Sequence, residues 1–113
     1  MICPRMTDEL CEVTITAPDA EWLATLAREL IERRLCASAH VVAPIRSIYR
    51  WQGAIEESTE ARAFLRSRRS QLPAIVRHVR RGHPYQVPNV TAVPIVDGNP
   101  EYLAWVHEST GQP

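Results

Sequence analysis

Two alternating runs that meet at Gln52-Gly53 constrain this chain more than any other feature. Ile45 to Trp51 reads IRSIYRW, with Ile45, Ser47, Tyr49 and Trp51 on one face. Ala54 to Ser67 continues the alternation, placing Glu60, Arg62 and Arg66 on one face and Ala61, Ala63 and Leu65 on the other. Side chains alternate across a strand, so two such runs flanking a turn dipeptide predict a β-hairpin over 45–67. Its arms exceed the usual strand length of about 5–6 residues. An overhanging ribbon of that length exposes edges and needs a partner.

The flanking segments set the rest of the topology. Leu10 to Ala17 alternates with β-branched residues and reads as a strand, stopped by Pro18-Asp19. Asp19 is a helix N-cap, with Glu21 at the positive end of the dipole. Leu23, Leu26, Ala27, Leu30 and Ile31 form the apolar stripe of a helix over 20–34. Cys36 to Pro44 is extended and interrupted by its proline. Ser70 is expected to cap a second helix, with Pro73 in its first turn. Its stripe is Leu72, Ile75, Val76 and Val79, and Gly82 would close it as a left-handed residue. Val87 to Val96 is strand-like but carries Pro88 and Pro94, so it belongs at an edge or ends at its prolines. Asn99-Pro100-Glu101 starts a short helix with Tyr102, Leu103 and Val106 on its buried side. Residues 1–8 and 110–113 are expected to fray. The order β-α-β-β-α-β plus one helix predicts a single α+β domain over 1–113 of ferredoxin-like pattern, with two helices on one face of an antiparallel four-stranded sheet.

Composition then removes classes of function. Thirteen basic residues balance thirteen acidic ones in 113 residues, which argues against a nucleic-acid binder. No apolar run approaches the ~20 residues of a membrane span, and Met1 to Asp8 lacks the apolar centre of a signal peptide. Cytoplasm is the expected compartment. Cys3, Cys11 and Cys36 are an odd set without CxxC spacing, which speaks against a disulfide framework or a zinc finger. All thirteen basic residues are Arg, so no Lys is present for Schiff-base chemistry. The densest local chemistry is His83-Pro84-Tyr85, an imidazole and a phenol on a proline-stiffened loop. Such an imidazole can bind metal, move protons, or simply be held by hydrogen bonds.

Five segments carry a resemblance. They are Thr16-Ala17-Pro18-Asp19, Glu32-Arg33-Arg34-Leu35, Ile45 to Trp51, His83-Pro84-Tyr85-Gln86-Val87-Pro88, and Gly98-Asn99-Pro100 with Tyr102, Leu103 and Trp105. In that order and spacing the chain resembles the CutA family of divalent-cation tolerance proteins, from about Val13 to about Glu108. The resemblance implies a ferredoxin-like subunit, a homotrimer, and a non-enzymatic role in tolerance of copper and other divalent ions. It also implies likeness to the PII signalling trimers, and with it a small ligand in an inter-subunit cleft. Tyr49, Trp51, Tyr85 and Trp105 are the cleft or interface anchors on this reading.

Departures from the family pattern bear on metal. The family's usual Cys and Asn after the first helix are Ser38 and His40 here. Soft thiolate donors are therefore absent from those positions. The resemblance leaves His83 as the leading ligand for a weakly bound copper or zinc ion, with Glu60, His40 or Cys36, or a neighbouring subunit, completing the set. Cys36, Ser38 and His40 would share a side if their segment is extended. Two other functions stay open. One is an enzyme using His83 as acid-base with Tyr85 or Glu60, and the other is a structural trimer that docks another protein.

Overall fold

The computed structural model describes residues 8–112; Cys3, Pro113 and the frayed lead-in expected over 1–7 lie outside the described residues. The elements are β1 (Leu10–Ala17), α1 (Ala20–Glu32), β2 (Ser38–Trp51), β3 (Ala54–Arg68), α2 (Leu72–Gly82), β4 (Val90–Pro94) and α3 (Pro100–Glu108). A 3-10 turn over Arg69–Gln71 joins β3 to α2. The four strands form one antiparallel sheet in the order β2-β3-β1-β4. This is the α+β, ferredoxin-like arrangement that the order of elements predicts.

Alternation places the core. Cys11, Val13, Ile15 and Ala17 of β1 and Ala61, Ala63, Leu65 and Ser67 of β3 are buried. They meet Leu23, Leu26, Ala27 and Leu30 of α1 and Ile75 and Val79 of α2. The other face of the same strands carries Glu12, Thr14, Thr16, Glu60, Arg62, Phe64 and Arg66, and no helix covers it. Glu12 pairs with Arg66 there at 3.0 Å, and Arg62 stacks 4.4 Å over the Phe64 ring.

Beyond β1 the hairpin continues alone. From Ile45 to Glu60 its arms pair only with each other, turning at Gln52 and Gly53, which have φ of 50° and 84°. Both values are left-handed, as a two-residue hairpin turn with the twist of its strands requires. The overhang stretches the subunit to 53 × 26 × 24 Å. Its radius of gyration is 15.2 Å, against about 13 Å for a compact domain near this size. One irregularity governs which side chains reach the open face. Val42 pairs with Arg62 but Ile45 pairs with Glu60, so Ala43 and Pro44 together oppose Ala61 in a bulge. The extra residue reverses the alternation. Ser38, His40 and Val42 lie on the open face before the bulge, and Ile45, Ser47, Tyr49 and Trp51 lie there after it.

Several local expectations are corrected. Ser70 does not cap α2; its backbone N–H and hydroxyl donate to Asp8. Gly82 is the last residue of α2 and is not left-handed; the chain leaves the helix through an extended His83. Helix α1 stops at Glu32, two residues early, because Arg34 turns left-handed at φ 61° and sends its guanidinium to the carbonyls of Glu108 and Gly111. Val87 to Val96 narrows to Val90–Pro94, an edge strand that ends at its second proline. On α3, Val106 is buried but Tyr102 is exposed.

Residues 8, 110 and 111, within the segments expected to fray, make hydrogen bonds to the body of the fold. Thr110 is fully buried and donates to the Val106 carbonyl. Arg68 reaches Asp8, the Thr110 hydroxyl and carbonyl, and the His107 carbonyl. One guanidinium thus ties Asp8 and the segment after α3 to β3. Burial works against Asp8's charge, but hydrogen bonds from Ser70 and Arg68 outweigh it and hold the carboxyl below its ordinary 3.8.

Candidate functional site

The loop after α2 returns across the end of β1, and His83 fastens it there. The Tyr85 backbone N–H donates to His83 Nδ1 at 3.0 Å. That nitrogen must then be the acceptor, so the proton sits on Nε2, which donates to the Thr16 carbonyl at 2.8 Å. Trp22 meets the imidazole edge-on at 5.1 Å, and the Tyr85 ring lies 4.9 Å away on the other side. Pro84 stiffens the link between the two rings.

This placement carries Tyr85 to the open face, where its hydroxyl donates to Glu60 Oε2. Glu60 is 8% exposed, so the phenol satisfies a carboxylate that would otherwise be buried alone. Burial, the hydrogen bond to Glu60 and the Glu60 negative charge push the Tyr85 hydroxyl well above its ordinary 10. It stays protonated and keeps donating. Tyr49 and Ser58 approach at 3.5 Å farther along the hairpin.

Together these groups line a cleft of about 910 Å³ on the uncovered face of the sheet. The overhanging hairpin forms one wall with Ile45, Ser47, Tyr49 and Trp51. The loop from Pro84 to Asn89 forms the other, and Thr14, Thr16, Glu60 and Arg62 form the floor. A concave surface where apolar side chains and converging polar groups meet is a form a small-molecule site takes.

Residues 11–109 match the profile of a known family, the CutA1 divalent ion tolerance protein. The chain belongs to this family. The divalent-cation tolerance protein CutA of Thermus thermophilus is 41% identical over 99 residues, covering 88% of this chain and 96% of that one. The mouse protein CutA is also 41% identical, over 85% of this chain, but the chain spans only 54% of its length. Among solved structures, the Thermus thermophilus protein superposes with a TM-score of 0.88 at 40% identity, covering 90% of this chain and 99% of that one. Rice CutA1 does so with 0.88 at 35% identity, covering 93% and 96%. Relatives carry different compartments in their names, chloroplastic for the Arabidopsis thaliana protein and periplasmic for that of Archaeoglobus fulgidus. Among the described residues no helix is long and apolar enough to cross a membrane.

Membership in the CutA1 family gives the residues singled out from sequence a common frame. Tyr49, Trp51, Tyr85 and Glu60 gather in the cleft. Trp105 does not; it lies on α3, 43% exposed and 5.6 Å from Tyr102. The four residues named for metal do not converge within the subunit. Cys36 is fully buried in the core on the helix side, while His40 is exposed on the open face opposite Phe64. The expectation that they share a side therefore fails, because Cys36 precedes the strand and turns inward with the end of α1. Burial pushes the Cys36 thiol up to about 12 and the Cys11 thiol to about 11, far from the thiolate a metal takes. His83 has neither nitrogen free, and Glu60 holds Tyr85. Among the described residues no three His, Cys, Asp or Glu side chains group as a metal site. A resident ion held by one subunit does not fit this donor set.

Sequence reasoning missed the floor of the cleft. Arg62 shares a strand face with Glu60 but is not among the site residues that the sequence singles out, and Thr14 and Thr16 lie on the open face of β1. The signal was present in the alternation: polar residues at 12, 14, 16, 60, 62 and 66 mark a face that no helix covers.

Proposed function

We propose that this CutA1-family chain acts in divalent-cation tolerance as a non-enzymatic homotrimer whose open-face cleft binds a small regulatory ligand, as in the PII-like reading. The overhanging hairpin carries the proposal. Ile48 and Ile55 are 61% and 64% exposed, and β2 presents an unpaired edge. A long ribbon that exposes two isoleucines and an unpaired edge is protected against aggregation when a neighbouring subunit covers it. The same ribbon is one wall of the cleft, so assembly would close the site and couple ligand to quaternary structure. The locked imidazole of His83 supports a non-catalytic role, since an acid-base residue needs a nitrogen available to its substrate.

The test has two parts. Light scattering on the purified protein should give three times the 12.8 kDa chain mass. Expression in a copper-sensitive strain lacking its own family member should restore growth in copper. A monomer, or growth no better than empty vector, refutes the reading.

A further inference from the structure

Arg62 sits on the floor of the cleft without a counter-ion. Its Nη2 donates to Thr14 Oγ1 at 3.1 Å, and its planar group lies over Phe64. Its Nε is enclosed and meets no acceptor among the described residues. The other arginine of this face, Arg66, has Glu12 at 3.0 Å, whereas no carboxylate lies within 4 Å of Arg62 among the described residues. A half-buried guanidinium with unmet donors is costly unless an anion completes it. Guanidinium is also the side chain best shaped to hold a carboxylate.

Resting on the cleft being a ligand site, we propose that it binds a small organic monocarboxylate, with the acid group on Arg62 and the apolar body against Ile45, Trp51 and Val87. Two features of the walls select this class. The apolar side chains beside the floor favour a hydrocarbon body over an inorganic ion. Glu60 lies two residues from Arg62 on the same face, about 7 Å along the strand. Tyr85 satisfies one oxygen of Glu60 but leaves its charge in place. A second negative charge on the ligand would face that carboxylate in a poorly solvated floor, so dicarboxylates and phosphate are disfavoured.

Calorimetric titration of the purified oligomer with isovalerate, isovaleramide, succinate and inorganic phosphate tests the assignment. Isovalerate should bind saturably, and isovaleramide, succinate and phosphate at least about tenfold more weakly, the worth of one charge-assisted contact. Arg62→Met should weaken isovalerate by a similar factor, Arg62→Lys by less, and Glu60→Gln should bring succinate closer to isovalerate. Light scattering on Arg62→Met and Arg62→Lys should leave the mass unchanged. No saturable isovalerate binding, equal binding of the amide, preference for phosphate, or full affinity in Arg62→Met overturns the proposal. So does loss of assembly in both Arg62 variants, which would assign the counter-ion to a neighbouring subunit. These readouts are independent of the copper-growth assay, so either reading can fail alone.

Discussion

The two halves of the long hairpin follow the same alternation in different surroundings. In the half beside β1, Ala61, Ala63, Leu65 and Ser67 turn toward α1 and α2 and are buried. In the overhanging half, Ile48 and Ile55 take equivalent positions in the pattern and remain mostly in solvent. Period-two patterning fixes which side chains share a face but not whether anything lies on that face. The backed half is held by its own subunit. The overhanging half leaves Ile48 and Ile55 mostly uncovered by the described residues, and on the proposed reading a neighbouring subunit covers them.

That contrast can be broken from either side. The largest effect is expected from Ile48→Ser combined with Ile55→Ser. If the overhang is an interface, scattering should fall to the mass of one chain while far-UV circular dichroism retains the helices. In the backed half, Leu30→Ala should cost about 2–5 kcal/mol through lost burial and the cavity left behind, read by urea denaturation. Replacing the tie between the chain ends, Arg68→Met should cost about 3 kcal/mol by leaving Asp8 and the terminal carbonyls unpaired. Hydrogen exchange should show α3 losing protection before the sheet does. At the cleft, Tyr85→Phe should cost about 1–3 kcal/mol by orphaning Glu60, and Glu60→Gln should recover part of that loss in the double variant.

The smallest effect concerns acid. Asp8 titrates below 3.8 in the fold, so its contribution is fully present above that value and is lost as pH falls through the lowered one. Urea midpoints measured from about pH 6 to about pH 2.5 should therefore fall less steeply in Asp8→Asn than in wild type.

Much of the fold was legible because it rests on short-range rules. Asp19 caps α1 by accepting from the Trp22 N–H at 2.7 Å, and Asn99 caps α3 by accepting from the Glu101 N–H at 3.2 Å. Gln52-Gly53 turns the hairpin, and Pro94 ends the edge strand. The contacts near the two ends of the described stretch were not legible, for a long-range reason. Arg34 and Arg68 each reach a segment more than forty residues away, which no local pattern shows. The candidate site divides in the same way. Its hairpin wall and the His83-Pro84-Tyr85 loop were visible as local motifs. Their meeting through Tyr85 and Glu60 was not, since these lie 25 positions apart on different elements.

The sequence by itself determined the order of elements, the face each strand buries, the caps and the turn, because each depends on residues a few positions apart. It also determined the family, through five motifs in register. Only the tertiary structure decided that His83 is spent on holding a loop, that Cys36 and His40 lie on opposite sides, and that Arg62 meets no carboxylate among the described residues in its cleft. Those outcomes depend on which distant donors and acceptors the packed sheet brings within hydrogen-bond reach.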